Sequence, residues 1–224
     1  MLEPRRASES AVDIIPRKGL LVGIEGIDAA GKRTQATLLA SWLRKRSVTT
    51  GMTSFPDYST IIGKEIHGYF HGSRDYPTEV VHILLAANRW ESKNRVESML
   101  AANQLVVVDR YTESNLAYGV AKGLSLDWLQ NLEVGLPKTE LVLVLDAPPA
   151  TTARRRPSTT DRYELDARIQ EQAREAYRRL APEFGWKLID ASGGIDETHR
   201  LVTAEVAKLL PSAGSVKVPK EGVR

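Results

Sequence analysis

The residues best suited to chemistry lie in one short stretch near the amino end of the chain, from Gly26 to Thr34. Four residues separate Gly26 from Gly31, and Lys32 follows directly. Glycines let the backbone approach a ligand closely, consecutive N–H groups can surround an anion, and a lysine can reach the outer phosphates of a nucleotide. This spacing is that of a phosphate-binding P-loop. A glycine turn without a ligand is the alternative, and the correctly placed lysine favours phosphate binding.

One position departs from the P-loop pattern. The residue after the lysine is usually Ser or Thr, whose hydroxyl ligates Mg²⁺, whereas here it is Arg33, with Thr34 one place later. A guanidinium has no lone pair to offer a metal ion. We therefore expect other groups to hold magnesium, and the candidates are Asp28, Asp109, water and the phosphates of the nucleotide.

A second pair of charged residues, Asp109 and Arg110, closes the apolar run of residues 105–108. A carboxylate at the end of a strand can hold Mg²⁺ directly or through water, and a guanidinium can bridge phosphates that would otherwise repel each other. A salt-bridged strand end is the alternative interpretation. The P-loop favours a functional role, because it predicts charge at this edge of the sheet.

Two further sets of arginines are candidates. Arg89 follows Leu84 and Leu85 in a segment with helical spacing. An arginine on a buried face needs an anionic partner, and the residues alone leave a substrate phosphate and a structural carboxylate equally open. Arg154–Arg156 could form a lid that closes on phosphates, although a run of charges is more often a solvated surface.

The elements that must position these residues alternate along the chain. Apolar runs alternate with segments of helical spacing, which predicts an α/β fold with a mainly parallel central sheet of about five strands and helices on both faces. Ligands of such sheets bind at the carboxyl ends of the strands. The predicted strands are residues 20–25, 49–55, 105–109, 141–146 and 186–190; the predicted helices include one long segment over 80–99 and another over 165–180.

Length and charge predict one domain with two extensions. The 224 residues suit a single α/β domain over 19–210, with a lid over about 151–162, between flexible extensions at 1–18 and 211–224. The two extensions carry the whole net charge of +3, so the domain itself is neutral and we expect no stable nucleic-acid binding.

The sequence also excludes some classes of chemistry. It contains no cysteine, which rules out disulfides, thiolate catalysis and a structural zinc–thiolate site. The histidines show no metal-ligand spacing with carboxylates. Neither a membrane-spanning apolar run nor the core of a signal peptide is present, so we expect an intracellular, cytoplasmic protein without membrane contact.

Taken together, these residues resemble the thymidylate kinase family over about residues 20–210. The resemblance rests on short motifs in a shared order and spacing, at residues 25–28 running into the P-loop, 55–60, 87–91, 109–111, 135–138, 161–164 and 190–192. It implies a P-loop kinase fold and transfer of the γ-phosphoryl group of ATP to dTMP, giving dTDP for DNA synthesis. It further implies Mg²⁺ as a cofactor and a homodimer.

The resemblance also implies roles for individual residues. The residues expected to act in catalysis are Lys32, Arg110, Arg155 as the lid arginine, and Asp28. Those expected to bind ATP are Gly26, Ala29, Ala30, Gly31, Lys32, Arg33, Thr34, Arg154, Ala191 and Ser192, the last two beside adenine. Those expected to bind dTMP are Asp28, Phe55, Tyr58, Leu85, Arg89, Arg110, Asn115, Tyr118 and Tyr163. Within that set, Arg89 is expected at the phosphate, Asn115 at the base and Tyr118 beside C2′. Metal binding is implied for Asp28 and Asp109.

Leu85 departs from the family pattern, since many members have at this place a phenylalanine that stacks on thymine. Leucine offers apolar contact without aromatic stacking, a difference on the order of 1 kcal/mol. Another pyrimidine monophosphate such as dUMP is therefore an alternative acceptor. A nucleotide-binding relative that does not catalyse is a further alternative, prompted by Arg33.

Overall fold

The computed structural model describes residues 19–155 and 161–210, and within them a five-stranded sheet forms the centre of the molecule. All of its neighbouring strands pair in parallel. The runs of Val, Leu and Ile in the central strands suit a sheet that is covered on both faces. The predicted fold class is confirmed. The strands are β1 (Leu20–Gly26), β2 (Thr50–Ser54), β3 (Leu105–Asp109), β4 (Leu141–Asp146) and β5 (Lys187–Asp190), in the order β2-β3-β1-β4-β5.

The strand register brings the chemically interesting residues to one edge. Ile24 of β1 lies opposite Asp109 of β3, and Ser54 of β2 lies opposite the same residue on its other side. The chain segments that follow β1, β2 and β3 therefore leave the sheet side by side. These segments carry the P-loop, Phe55 and Arg110.

Helices cover both faces of the sheet. Alternate strand residues point to opposite faces: Leu21, Val106 and Val108 pack in one buried cluster, whereas Val22 and Ile24 pack in the other. The helices are α1 (Lys32–Arg44), α2 (Ile61–Phe70), α3 (Thr78–Glu91), α4 (Lys93–Ala102), α5 (Thr112–Ala121), α6 (Leu126–Glu133), α7 (Pro149–Arg155), α8 (Arg162–Leu165), α9 (Ala167–Phe184) and α10 (Ile195–Ala207).

Two predicted helices differ from those of the structure, one by a break and one in its bounds. The segment 80–99 turns at Ser92, whose N–H bonds to the Arg89 carbonyl three residues earlier (3.1 Å), so α3 and α4 are separate. The helix predicted over 165–180 begins instead at Ala167 and runs to Phe184, because the Asp166 carboxylate accepts the N–H groups of Arg168 and Ile169 and so caps α9. Side chains that bond to local backbone favour helix ends over helix interiors.

The predicted extensions at 1–18 and 211–224 lie outside the described residues, as do residues 156–160 of the predicted lid, Arg156 among them. Over the described ranges, each helix is too short or too polar to cross a lipid bilayer.

Candidate functional site

The P-loop connects β1 to α1 in a conformation that only some residues tolerate. Gly26 and Gly31 have φ of 130° and 98°, and Ala29 has φ of 57°. A Cβ added at Gly26 would lie 2.5 Å from the Leu145 carbonyl oxygen, so this glycine is sterically required. Gly31 is the N-cap of α1 and supplies no side-chain cap. The first N–H groups of α1 are therefore open to an anionic ligand.

Asp28 lies at the centre of the polar contacts around this loop. Its Oδ1 accepts from Arg110, and its Oδ2 accepts from Gln170 Nε2 (2.7 Å) and Tyr118 OH (3.2 Å). Burial disfavours the charged carboxylate, but Arg110, Lys32 and these hydrogen bonds outweigh burial and lower the Asp28 pKa from 3.8 to about 2. Asp28 is consequently a carboxylate at neutral pH, and it fixes the position of Arg110.

Lys32 is the buried cation of the loop. Its Nζ donates to the Ile27 carbonyl (2.7 Å) and lies 3.9 Å from Asp28 Oδ1. Burial and the nearby Arg110 lower the Lys32 pKa from 10.5 to about 8, against the opposing effect of the carboxylates of Asp28 and Asp109. An ammonium placed in this way is poorly compensated by the protein and gains from an incoming phosphate.

Arg110 follows β3 in a left-handed backbone conformation, with φ of 64°. The backbone on both sides of it is held by hydrogen bonds. The Arg110 N–H donates to Ile24 O (3.1 Å), and the Tyr111 N–H donates to the fully buried carboxylate of Glu25 (2.7 Å). Strained conformations of this kind persist where the surroundings enforce them, often at functional sites. The Arg110 guanidinium then spans Asp28, the Gly26 carbonyl and Ser114.

A cavity of about 680 Å³ opens beside the loop. It brings together most of the predicted residues. Those that line it are Asp28, Ala29, Gly31, Lys32, Arg33, Thr34, Phe55, Tyr58, Leu85, Arg89, Asp109, Arg110, Asn115, Tyr118 and Tyr163. Gly26 and Ala30 shape the loop without lining the cavity.

The remaining predicted residues form a separate group at the carboxyl end of β5. Arg155, at the end of α7, donates to the carbonyls of Ala191 (2.8 Å), Ser192 (3.0 Å) and Gly193 (2.8 Å). The predicted lid arginine is thus brought to the predicted adenine-side residues and not to the phosphate loop, and Arg154 beside it is exposed. To reach a phosphate, Arg155 would have to leave these three carbonyls. Its catalytic role stays a prediction.

Arg89 has a carboxylate partner within the protein. Its guanidinium donates through Nε to Glu133 Oε2 (3.0 Å) and through Nη2 to Glu133 Oε1, and both side chains are less than one-tenth exposed. Asn115 Nδ2 donates to the same Glu133 Oε1 (2.7 Å). Of the two partners that the sequence left open for Arg89, the structure contains the carboxylate.

Aromatic rings form another side of the cavity. The rings of Tyr118 and Tyr163 are stacked with centroids 5.9 Å apart, and Phe70 meets Tyr163 edge-on at 4.9 Å. Leu85 is half-buried at this cavity. The cavity thus combines a charged end, where cations and carboxylates meet, with apolar and aromatic surfaces, an arrangement that suits a nucleotide.

The residues at the cavity allow a test of the predicted magnesium ligands. Asp109 Oδ1 is buried and makes no hydrogen bond within the described residues. Both oxygens of Asp28, in contrast, already accept hydrogen bonds. A carboxylate oxygen without a partner suits a cation or its water shell, so the geometry favours Asp109. Residues 19–155 and 161–210 contain no cluster of three or more His, Asp or Glu that could hold a metal ion alone.

Sequence reasoning assigned no role to four polar residues that organise the site: Gln170, Glu133, Glu25 and Ser114. Gln170 donates to Asp28 Oδ2 and accepts from the Asp28 N–H (2.9 Å), and it is fully buried. It shares the buried stripe of α9 with Ala173 and Tyr177. A polar residue at helical spacing on an apolar stripe is a signal that could have revealed it.

Comparisons with known proteins agree with this geometry. The family model for thymidylate kinase matches residues 24–202. The human thymidylate kinase is 38% identical over 186 residues, which cover 82% of this chain and 87% of that protein. The thymidylate kinase of Schizosaccharomyces pombe is 34% identical over 197 residues, covering 86% and 93%. The solved structure of the Candida albicans thymidylate kinase superposes with a TM-score of 0.73 at 29% identity, covering 86% of this chain and 91% of that one.

Proposed function

The chain belongs to the thymidylate kinase family, and we propose that it transfers the γ-phosphoryl group of ATP to dTMP, giving ADP and dTDP. The observation that carries this proposal is that Lys32, Arg110 and the open N-terminus of α1 face one nucleotide-sized cavity. These three groups supply positive charge from two adjacent strand ends. Two phosphorylated ligands can therefore meet between them.

The protein contributes to this reaction mainly by positioning the two substrates, without a covalent intermediate on one of its own side chains. The acceptor oxygen of a nucleoside monophosphate is already ionised, so its attack needs no general base. The protein must bring two polyanions together and align them in line. Lys32 and the loop N–H groups bind the donor phosphates, and Arg110 lies where it can touch both donor and acceptor. Asp28 and Glu25 hold Arg110 in that place.

We also propose that Mg²⁺ takes part, held by Asp109 through its free oxygen and water, and by the phosphates of ATP. Asp28 is the less suitable ligand because it is engaged with Arg110, Gln170 and Tyr118. When bound, the ion would neutralise charge that develops on the β- and γ-phosphates.

The proposal is tested by an ADP-release assay over a panel of acceptors. We expect dTMP to give the highest kcat/KM. A clear preference for dUMP or another pyrimidine monophosphate would make that nucleotide the acceptor in place of dTMP. It would also point to Leu85, which supplies no stacking ring, as the reason for the changed selectivity. If no acceptor gives ADP release in the presence of ATP and Mg²⁺, the protein binds nucleotides without catalysing phosphoryl transfer.

Tyr118 is expected to exclude ribonucleotides, by the steric bulk of its ring beside C2′. Tyr118→Ala should raise kcat/KM for 5-methyluridine monophosphate relative to dTMP by about tenfold, because removing the ring makes room for a 2′-hydroxyl. Tyr118→Phe is the matched control, since it loses the same hydrogen bond to Asp28 (3.2 Å) but keeps the ring. If both variants changed the ratio equally, the hydroxyl and not the ring would be responsible.

The phosphate role of Arg89 is tested by comparing thymidine with dTMP as ligands. The double variant Arg89→Gln/Glu133→Gln removes both charges of the buried pair and so leaves neither unpaired. Because the Arg89 charge is already neutralised by Glu133, we expect thymidine and dTMP to lose affinity by similar factors in calorimetric titrations. A loss on the order of tenfold for dTMP alone would instead assign Arg89 to the phosphate.

We further propose a cytoplasmic homodimer. Ile83 and Trp90 lie seven residues apart on one face of α3 and are 44% and 40% exposed; Val134, near Trp90, is 67% exposed. Exposed large apolar side chains of this kind are consistent with a protein interface. Light scattering measures the mass of the protein in solution and so tests the association.

A further inference from the structure

Two buried glutamates lie on one face of β1, and one of them has no role in the proposed reaction. Glu25 and Glu113, the latter in the first turn of α5, are 0% and 5% exposed. A Cβ added at Gly23 would lie 3.9 Å from Glu113 Oε2, and the side chain of Glu25 points to the same face of the strand as that Cβ. Two buried carboxylates on one face repel each other when both are charged.

Glu25 is the glutamate that is suited to carry the negative charge. Its carboxylate accepts hydrogen bonds from the Tyr111 N–H (2.7 Å), the Ser114 hydroxyl (2.6 Å) and the Tyr177 hydroxyl (2.7 Å). Three donors favour the ionised form of a carboxyl group. Because Tyr111 follows Arg110 directly, the charged Glu25 side chain also supports the left-handed backbone of Arg110.

Glu113 has much weaker support for a charge. Its Oε1 accepts from the Thr139 hydroxyl (2.5 Å), whereas its Oε2 is buried and makes no hydrogen bond within the described residues. Those residues also place no cation in an ion pair with Glu113. Burial, followed by the charge of Glu25, raises the Glu113 pKa from 4.5 to about 7, against the opposing effect of hydrogen bonds that include the one from Thr139. Glu113 is therefore mainly a neutral carboxylic acid below pH 7.

The other titratable groups around this pair act on Glu25. Lys32 of α1 and Arg110 after β3 are both favoured in their charged forms by the Glu25 carboxylate. Tyr177 of α9 donates to the same carboxylate. These groups keep the charge on Glu25, which leaves Glu113 to hold the proton. Ionisation of Glu113 then adds a second negative charge to a buried site that already contains one.

We propose that Glu113 is a pH-dependent positioning residue: when neutral it leaves Glu25 free to hold the backbone beside Arg110, and when ionised it repels Glu25 and weakens that hold. The step is the release of one proton from the Glu113 carboxyl group to solvent as the pH rises. This inference goes beyond the proposed function, because no nucleotide takes part in it.

The first test observes the proton by ¹³C NMR of the side-chain carboxyl groups in the protein without nucleotide. We expect one glutamate signal to titrate near pH 7, well above the ordinary value of about 4.3, and to be lost in Glu113→Gln. The Tyr111 amide proton, which is bonded to Glu25, should shift with the same midpoint in the wild type and not in the variant. If no signal with this midpoint is lost in Glu113→Gln, or if the Tyr111 shift does not follow it, the proposal is wrong.

The second test measures the folding equilibrium constant against pH in denaturant titrations. The Glu113 pKa is about 7 in the folded protein and 4.5 as its ordinary value, so the stability that its proton contributes is fully present below about pH 4.5 and is lost as the pH rises through about 7. Glu113→Gln is neutral at every pH. Its folding constant, divided by that of the wild type, should therefore rise by a factor of roughly 50 to 100 from pH 5 to pH 8.

Two further variants complete the stability test. Glu113→Leu is also neutral and should show the same rise, which excludes an effect of the new amide and keeps the test available if Glu113→Gln fails to fold. Glu175→Gln removes an exposed glutamate of α9 and should keep a constant ratio to the wild type. A constant ratio in the neutral Glu113 variants as well would overturn the proposal. Neither test uses a nucleotide, so a failure here is distinct from a failure of the ADP-release assay.

Discussion

Lys32→Ala is expected to lower kcat for dTMP phosphorylation by a factor of about 10² to 10³, the usual cost of removing a preorganised donor that stabilises transition-state charge. Lys32 is the buried cation at the N-terminus of α1 and faces the cavity. Its ammonium now donates to a backbone carbonyl, and the γ-phosphate would offer it a stronger, charged acceptor. Steady-state kinetics with both substrates saturating measures the loss.

The fold of this variant should remain intact. Burial lowers the Lys32 pKa to about 8, which means that the folded protein pays a cost to keep the charge, so truncation should not destabilise it strongly. Circular dichroism and thermal unfolding check this. Lys45→Ala, at the exposed opposite end of α1, is the matched control and should keep wild-type kinetics. Wild-type turnover by Lys32→Ala would remove the lysine from the mechanism.

Lys32 should also determine how kcat/KM for ATP changes with pH. The free enzyme should lose the Lys32 charge as pH rises through about 8, so kcat/KM for ATP should fall above that pH. A bound triphosphate favours the ammonium and raises its pKa, so kcat should fall only at higher pH. In Lys32→Arg the guanidinium stays charged, and this decline should disappear even if the rate is low. A kcat/KM profile that is flat to about pH 10 in the wild type would contradict this assignment.

The sequence predicts the sheet and the phosphate loop well because both depend on local patterns. A run such as Leu141–Leu145 is apolar on both faces, and only a covered parallel strand suits it. The loop is recognisable because its glycines and lysine have a fixed spacing, and Gly26 meets a neighbouring strand too closely for any side chain. Because the strands run parallel, Asp109 and Arg110 must lie at the same edge of the sheet as the phosphate loop.

Other elements resist prediction because their signals are not local. Helix α5 was not predicted, since residues 115–119 are all buried and leave no amphipathic period to read. Its existence depends on neighbours from several parts of the chain. The partners of charged residues are equally non-local: Gln170 reaches Asp28 across 142 residues, and Glu133 reaches Arg89 across 44. Such contacts cannot be predicted from the spacing of residues along the sequence.

Arg110→Met is expected to have the second large effect, on rate and on stability together. Loss of an arginine that stabilises charge in phosphoryl transfer lowers kcat by a factor of about 10³ or more. The variant also leaves the partly buried Asp28 carboxylate without its main cationic partner, although Lys32 remains nearby. We expect a loss of unfolding free energy of about 3 kcal/mol, the lower end of the range for buried pairs. Arg95→Met is a suitable control, because Arg95 pairs with Asp57 at the surface and should contribute little.

The double variant Asp28→Asn/Arg110→Met separates the two effects. It removes both charges, so it should recover most of the lost unfolding free energy while remaining as slow as Arg110→Met. Recovery of the rate as well would mean that Arg110 acts only by neutralising Asp28.

Acid should reduce the stability difference between the wild type and Arg110→Met. In the wild type the Asp28 pKa is about 2, below its ordinary 3.8, so ionised Asp28 stabilises the fold above about pH 4, and this contribution is lost as pH falls toward about 2. Without Arg110, the Asp28 pKa should be higher than in the wild type, because burial still disfavours the charged carboxylate. Acid then protonates Asp28 in the variant and removes the cost of burying its charge. The gap in unfolding free energy should therefore narrow between about pH 7 and about pH 3. The double variant has no carboxylate at position 28 and should not show this relief, whereas a constant gap between wild type and Arg110→Met would mean that Asp28 and Arg110 are not energetically coupled.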